Sequence, residues 1–224
     1  MADRSGGRVR PILHWARTEV DDAPESPRAA AHRPTGRHAG RHGNPQPHWV
    51  LRAQTAQALT LMPGQLYFGA EATSVCTLLG SCVAITLWHP QRRIGGMCHF
   101  LLPSRRRPAQ EPEDGRYGNE ALKAMVEAIH RHRTDPTDYH AHLYGGADTL
   151  SGACGVKFNI GERNIEEGWR LIDHFGFQLQ GVDVGEDIPR TVTLHLPSGE
   201  VQMRRGKGHA PDTSKPGHQR SPLR

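Results

Sequence analysis

The stretch that decides the fold is Cys76-Thr77-Leu78-Leu79-Gly80-Ser81-Cys82-Val83-Ala84-Ile85-Thr86-Leu87, followed after a short turn by Ile94-Gly95-Gly96-Met97-Cys98-His99-Phe100-Leu101-Leu102-Pro103. These two runs, rich in strand-favouring residues, flank the polar segment His89-Pro90-Gln91-Arg92-Arg93. β-branched and aromatic residues favour strands, and a polar segment containing Pro favours a turn. The expectation is a β-hairpin. Centred on the Pro90–Gln91 bond, it places Leu87 opposite Ile94 and Cys82 opposite His99. Directly opposed residues share a face of the sheet. A slip of two keeps Cys82 and His99 on one face and stretches the pair; a slip of one separates them. Both faces of Val83–Leu87 are apolar or small, which places the hairpin in a core covered on both sides.

Upstream, Ala58–Met62 reads as a strand, Pro63-Gly64 as a turn, and Gln65–Phe68 as a second strand. Downstream, 103–116 reads as a long, solvated, loosely held loop containing Arg105-Arg106-Arg107. Leu122, Met125, Val126 and Ile129 recur at helical spacing, so Tyr117 to His132 forms an amphipathic helix facing the sheet. Tyr139–Tyr144 reads as a strand closed by Gly145-Gly146-Ala147. Asn164 with Glu167 three residues on has the form of a capping box, which starts a second helix at Asn164. Ile165, Trp169 and Ile172 form its stripe, and Gly176 stops it. Phe177–Val184 is a strand, and Thr191–Leu196 with Val201–Met203 is a hairpin. The order predicts an α+β fold with helices covering partly antiparallel β-sheets.

The totals set bounds. A chain of 224 residues holds one domain plus tails. The net charge of +5 is concentrated toward the ends, which describes tails rather than a nucleic-acid-binding face. The expected division is a disordered tail over 1–57, a domain over 58–204 and a second disordered tail over 205–224. No run of apolar residues is long enough for a membrane span, and no signal peptide is recognisable, so the chain is expected in the cytoplasm. Four cysteines without a C-x-x-C pattern are expected as free thiols; Cys98 and Cys154 read as small buried groups. His38, His42 and His48, and His140 with His142, lack further ligands at suitable spacing, so no metal and no cofactor are expected.

A thiol beside an imidazole is the pair a cysteine nucleophile needs. Cys82 would attack an amide carbonyl, and His99 would protonate the leaving nitrogen and then activate water. A neighbouring imidazolium would lower the thiol pKa. Backbone N–H groups near Ser81 and Cys82 are the natural oxyanion donors, and Gly80 lets a substrate approach closely. The same two residues in a buried hairpin also suit a purely packing role.

Leu79-Gly80-Ser81-Cys82-Val83-Ala84 and Gly95-Gly96-Met97-Cys98-His99-Phe100-Leu101-Leu102-Pro103 resemble the CheD family, the chemoreceptor glutamine deamidases of chemotaxis. The resemblance extends through Met62-Pro63-Gly64-Gln65, Tyr117-Gly118, Tyr144-Gly145-Gly146-Ala147 and Ile160-Gly161-Glu162-Arg163-Asn164-Ile165. It implies an α/β sandwich similar to the catalytic domain of cytotoxic necrotising factor toxins. It also implies hydrolysis of receptor glutamines to glutamate through a Cys thioester, with Cys82 as nucleophile and His99 as its partner. The implied partners are the cytoplasmic helical domains of methyl-accepting receptors, at receptor arrays, and in some members a CheC-type phosphatase. The family's third residue, a hydroxyl six positions before the cysteine, falls on Cys76, with Thr77 beside it. Neighbours in a strand point to opposite faces, so Cys76 and Thr77 are alternative occupants of that role. Asp183–Arg190 departs from the family's glycine-rich pattern, which implies a reshaped loop. Alternatives to the enzyme are a weakly active or inactive module that docks receptor or CheC, and a cysteine protease or transglutaminase.

Overall fold

The computed structural model describes residues 46–148 and 159–206. The expectations for Ile12–Trp15, His38, His42, Cys154 and the chain beyond 206 lie outside the described residues. The elements run β1 (Val50–Leu51), β2 (Gln57–Thr60), β3 (Leu66–Gly69), β4 (Ala72–Leu79), β5 (Val83–His89), β6 (Ile94–Phe100), α1 (Gly118–Arg131), β7 (His140–Gly145), α2 (Ile160–Phe175), β8 (Gln178–Val184), β9 (Arg190–His195) and β10 (Val201–Arg205). A six-stranded sheet has the order β1-β3-β6-β5-β7-β8, and a four-stranded sheet the order β10-β9-β4-β2. Both mix parallel and antiparallel pairs, and the fold is α+β, as expected.

The quoted hairpin becomes the centre of the larger sheet. Side-chain alternation then sorts its residues into two cores. Val83, Ile85, Leu87, Cys98 and Phe100 pack with Leu122, Met125 and Ile129 of α1 and with Leu171 and Ile172 of α2. Ala84 and Met97 face the other way, onto Val75, Leu79, Val192 and Leu194 of the smaller sheet. The layers are therefore helices, large sheet, small sheet. The α1 stripe is buried as its spacing predicts, and each such side chain contributes about 1.5–3 kcal/mol. Gly176 ends α2 with φ of 72°, a left-handed conformation open to glycine.

Several expectations need correction. The hairpin register is offset by two: Leu87 pairs with Gly96 and Ala84 with His99. The strands run on to His89 and Ile94, and Arg93, at φ 51°, closes the turn by donating its N–H to His89 O. Helix α2 starts at Ile160, so Asn164 lies inside it and caps nothing; Glu167 pairs instead with Arg170. Trp169 is exposed, and the buried side of α2 carries Asn164, Gly168, Leu171 and Ile172. The loop after β6 is not loosely held. Buried Glu120 accepts from Arg105 Nε at 2.7 Å and from Asp114 N–H at 2.7 Å, and the Arg105 guanidinium stacks over Tyr117. Folded structure also reaches past 58–204: Trp49 is buried, and Arg205 pairs with Asp183.

Candidate active site

Strand β4 sends Val75, Thr77 and Leu79 into the space between the sheets and turns Leu78 to solvent. Cys76 shares the Leu78 side by alternation and is half-buried. Thr77 Oγ1 donates to Leu61 O at 2.9 Å and lies 2.7 Å from His99 Nδ1. A threonine hydroxyl has one hydrogen, and a carbonyl can only accept. The hydroxyl hydrogen therefore goes to Leu61, and Nδ1–H must donate to Oγ1. This network assigns the tautomer and leaves a lone pair on His99 Nε2. Nε2 is buried without a hydrogen-bond partner. The His99 main chain is clamped as well, its N–H donating to Gln65 O at 3.0 Å and its O accepting from Gly64 N–H at 2.8 Å.

Cys82 lies at the bend before β5, two residues ahead of Ala84, the partner of His99. The strand pleat returns it to the same face, and it packs against the inter-sheet core while remaining partly exposed. The bend is held through its carbonyls. Gly80 O accepts from Ala147 N–H at 2.8 Å, Ser81 O from Asn164 Nδ2 at 3.1 Å, and Cys82 O from Gly146 N–H at 2.8 Å. Asn164 Nδ2 also donates to Leu101 O at 2.8 Å. Among the described residues, the N–H groups of Ser81 and Cys82 donate to no other residue. Sequence reasoning missed Asn164 here: its partners are 83 and 63 residues away, beyond any local pattern.

Gly145 sets the spacing of this bend. Its φ is +109°, and a Cβ there would lie 2.2 Å from Cys82 O. Gly145→Ala is expected to destabilise the protein by at least about 1–3 kcal/mol from backbone strain and to displace the Cys82 carbonyl. Denaturant unfolding of the variant checks the first effect, and Cys82 alkylation the second.

Burial pushes the Cys82 thiol up from its ordinary value, against a smaller downward pull from its own N–H. Burial also pulls His99 down to about 4. Burial thus favours the neutral form of both groups, against the lowering of the thiol by an imidazolium expected from the sequence. Cys98 is fully buried on the helix side, and its thiol is pushed up to about 12. The divergent 183–190 segment is organised by buried Arg190, which donates to Asp183 Oδ1 at 2.5 Å and to the carbonyls of Gly185 and Ile188. His140 and His142 share one face of β7; His142 Nδ1 lies 3.2 Å from Thr86 Oγ1. Among the described residues, no group of three or more His, Cys, Asp or Glu is gathered to hold a metal ion. No described helix is long and apolar enough to cross a membrane.

A part-exposed thiol at a strand bend and a buried imidazole oriented by a hydroxyl thus lie on one face of the large sheet. The CheD family model, described as CheD chemotactic sensory transduction, matches residues 101–205. A probable chemoreceptor glutamine deamidase CheD 3 of Dechloromonas aromatica is 42% identical over 143 residues, covering 64% of this chain and 84% of the relative. A probable chemoreceptor glutamine deamidase CheD of Pseudomonas fluorescens is 40% identical over 146 residues, covering 64% and 82%. The CheD 1 relative of Chromobacterium violaceum is 38% identical over 152 residues, covering 67% and 79%. The chain belongs to the CheD family. Among solved structures, the hypothetical protein YfiH of Bacillus licheniformis matches 53% of this chain and 49% of its own, with a TM-score of 0.33 and 12% identity.

Proposed function

We propose that this chain is a protein-glutamine deamidase that converts glutamines of chemotaxis receptors to glutamate through a thioester on Cys82. The observation that carries the reading is the orphaned, unprotonated Nε2 of His99, held by Thr77 on the face to which Cys82 returns. Such an imidazole is a base in search of one proton. As Cys82 Sγ attacks the glutamine carbonyl carbon, its proton passes to Nε2. The carbonyl electron pair moves onto oxygen, which the N–H groups of Ser81 and Cys82 stabilise. Collapse breaks the C–N bond, Nε2–H protonates the leaving nitrogen, and ammonia departs. Water then gives a proton to Nε2 and its oxygen to the acyl carbon. Sulfur leaves, takes back the proton, and glutamate is released. The net reaction is glutamine plus water to glutamate plus ammonia.

The substrate implied by the relatives' names is a receptor, whose cytoplasmic helical domain would meet Cys82 from solvent at receptor arrays in the cytoplasm. A CheC-type phosphatase would be a second partner. The sandwich of two sheets and the thiol–imidazole chemistry support a likeness to the catalytic domain of cytotoxic necrotising factor toxins. Peptide mass spectrometry of a receptor cytoplasmic fragment incubated with the protein tests the reading. Site-specific Gln→Glu conversion is the expected result. Binding without conversion would favour a docking module, and backbone cleavage or cross-linking a protease or transglutaminase.

The third role is assigned here to Thr77 rather than Cys76. Thr77→Val is expected to strand both Leu61 O and Nδ1–H, costing about 1–3 kcal/mol of stability. It should lower kcat by roughly 10–100-fold, taking the low end of general-base contributions for a group that only aims the base. Thr77→Ser should restore most of both, and Cys76→Ala should leave the rate unchanged. Steady-state kinetics of the three variants decides between the two positions.

A further inference from the structure

We infer that Asn164 is a positioning residue that aims the Cys82 N–H at the oxyanion, an inference that rests on the deamidase reading above. The carbonyl of Ser81 and the N–H of Cys82 belong to one peptide unit. No peptide bond among the described residues is cis. In a planar trans unit the oxygen and the hydrogen point to opposite sides. Asn164 Nδ2 holds Ser81 O from the α2 side at 3.1 Å, so the Cys82 N–H is turned away from α2. Ala147 N–H acts in the same way on Gly80 O and so turns the Ser81 N–H.

The end of the β5–β6 ladder shows why a side chain is needed. The last pair is Val83 with Phe100. One more step would pair Cys82 with Leu101 and could draw Cys82 N–H into the ladder. Instead, Leu101 N–H goes to Arg116 O at 2.9 Å, and Asn164 bridges the carbonyls of Ser81 and Leu101 with one amide nitrogen. The strand bearing His99 and the bend bearing Cys82 stay joined while, among the described residues, the Cys82 N–H donates to no other residue. Asn164 is wholly buried, and its Oδ1 has no hydrogen-bond partner. It touches no substrate, and it acts through the Cys82 peptide.

Three rates measured on the full chain test this. They are deamidation of a receptor fragment, the acylation burst with p-nitrophenyl acetate, and alkylation of Cys82 by iodoacetamide across pH. Deamidation and acylation pass through an oxyanion, whereas alkylation needs only the sulfur. Asn164→Ala and the isosteric Asn164→Asp should each lower deamidation kcat and the acylation rate about 10²-fold, the scale of losing one oxyanion donor. KM and the alkylation pH profile should stay as in wild type. Alkylation falling in step with acylation would mean the sulfur itself has moved, and unchanged acylation would mean the donor never depended on Asn164; either overturns the inference. Both variants failing to fold by circular dichroism would assign Asn164 to the fold alone and overturn it too. Wild-type acylation without receptor deamidation would remove the deamidase reading and leave the acylation arm to decide on Asn164.

Discussion

Cys82→Ala is expected to abolish glutamine conversion, lowering the rate by about 10⁴-fold or more, as loss of a covalent nucleophile does. No other thiol among the described residues can stand in. Cys98 is fully buried against the helices, and Cys76 lies on the far side of β4. The change deletes one half-exposed sulfur, so stability should move by less than about 1 kcal/mol. The bend keeps its carbonyl bonds, because the main-chain oxygens of Gly80, Ser81 and Cys82 accept them and the Cys82 side chain takes no part. Receptor binding should therefore survive while conversion is lost. Peptide mass spectrometry paired with a pull-down of the receptor fragment reads both. Conversion by the variant at the wild-type rate would remove Cys82 from the mechanism.

His99→Gln should lower kcat/KM by about 10²–10⁴-fold, because glutamine can fill the space but cannot take a proton. The wild-type pH profile carries a second signature. His99 titrates near 6.5 when free and is pulled down to about 4 by burial. The base is thus neutral and competent well below pH 6.5, and the acid limb attributable to it should fall toward pH 4. Stability follows with a definite sign. Between pH 6.5 and about 4 the unfolded chain binds the proton and the folded chain does not. Stability contributed by His99 is therefore complete above pH 6.5 and lost as pH falls toward 4, by about 3 kcal/mol at most. His99→Gln should flatten that part of the stability curve. An acid limb near pH 6.5 in kcat/KM, with no change of slope in the variant's unfolding, would contradict the buried neutral imidazole.

How much of this was legible in the sequence depends on the range of the interaction. The hairpin, the α1 stripe and the Gly176 stop follow from patterns a few residues long, and each stands where its pattern put it. The hairpin register did not follow, because Arg93 closes the turn in a left-handed conformation that arginine does not advertise. The start of α2 was misplaced because an Asn-x-x-Glu spacing is equally compatible with a helix interior. What puts Asn164 there is a pair of carbonyls brought close only by the folded sheet. Which of Cys76 and Thr77 reaches His99 depends on which face of β4 looks inward, and that is fixed by pairing with β9 and by the sheet opposite. The thiol–imidazole pairing of Cys82 and His99 follows from the hairpin pattern, and the resemblance to CheD falls on the same two residues. The tautomer of His99, by contrast, is readable only from the Leu61 carbonyl.

The bend at Gly80, Ser81 and Cys82 is fastened by its oxygens, and the donors it leaves outward belong to the main chain. On the proposed mechanism this bears on resistance. An inhibitor that seats an oxygen against those two amides contacts groups that every residue except proline supplies. A single codon change at Ser81 to any non-proline residue would leave its amide in place, so escape from such a compound would have to come from remodelling the surrounding loop, at the expense of turnover.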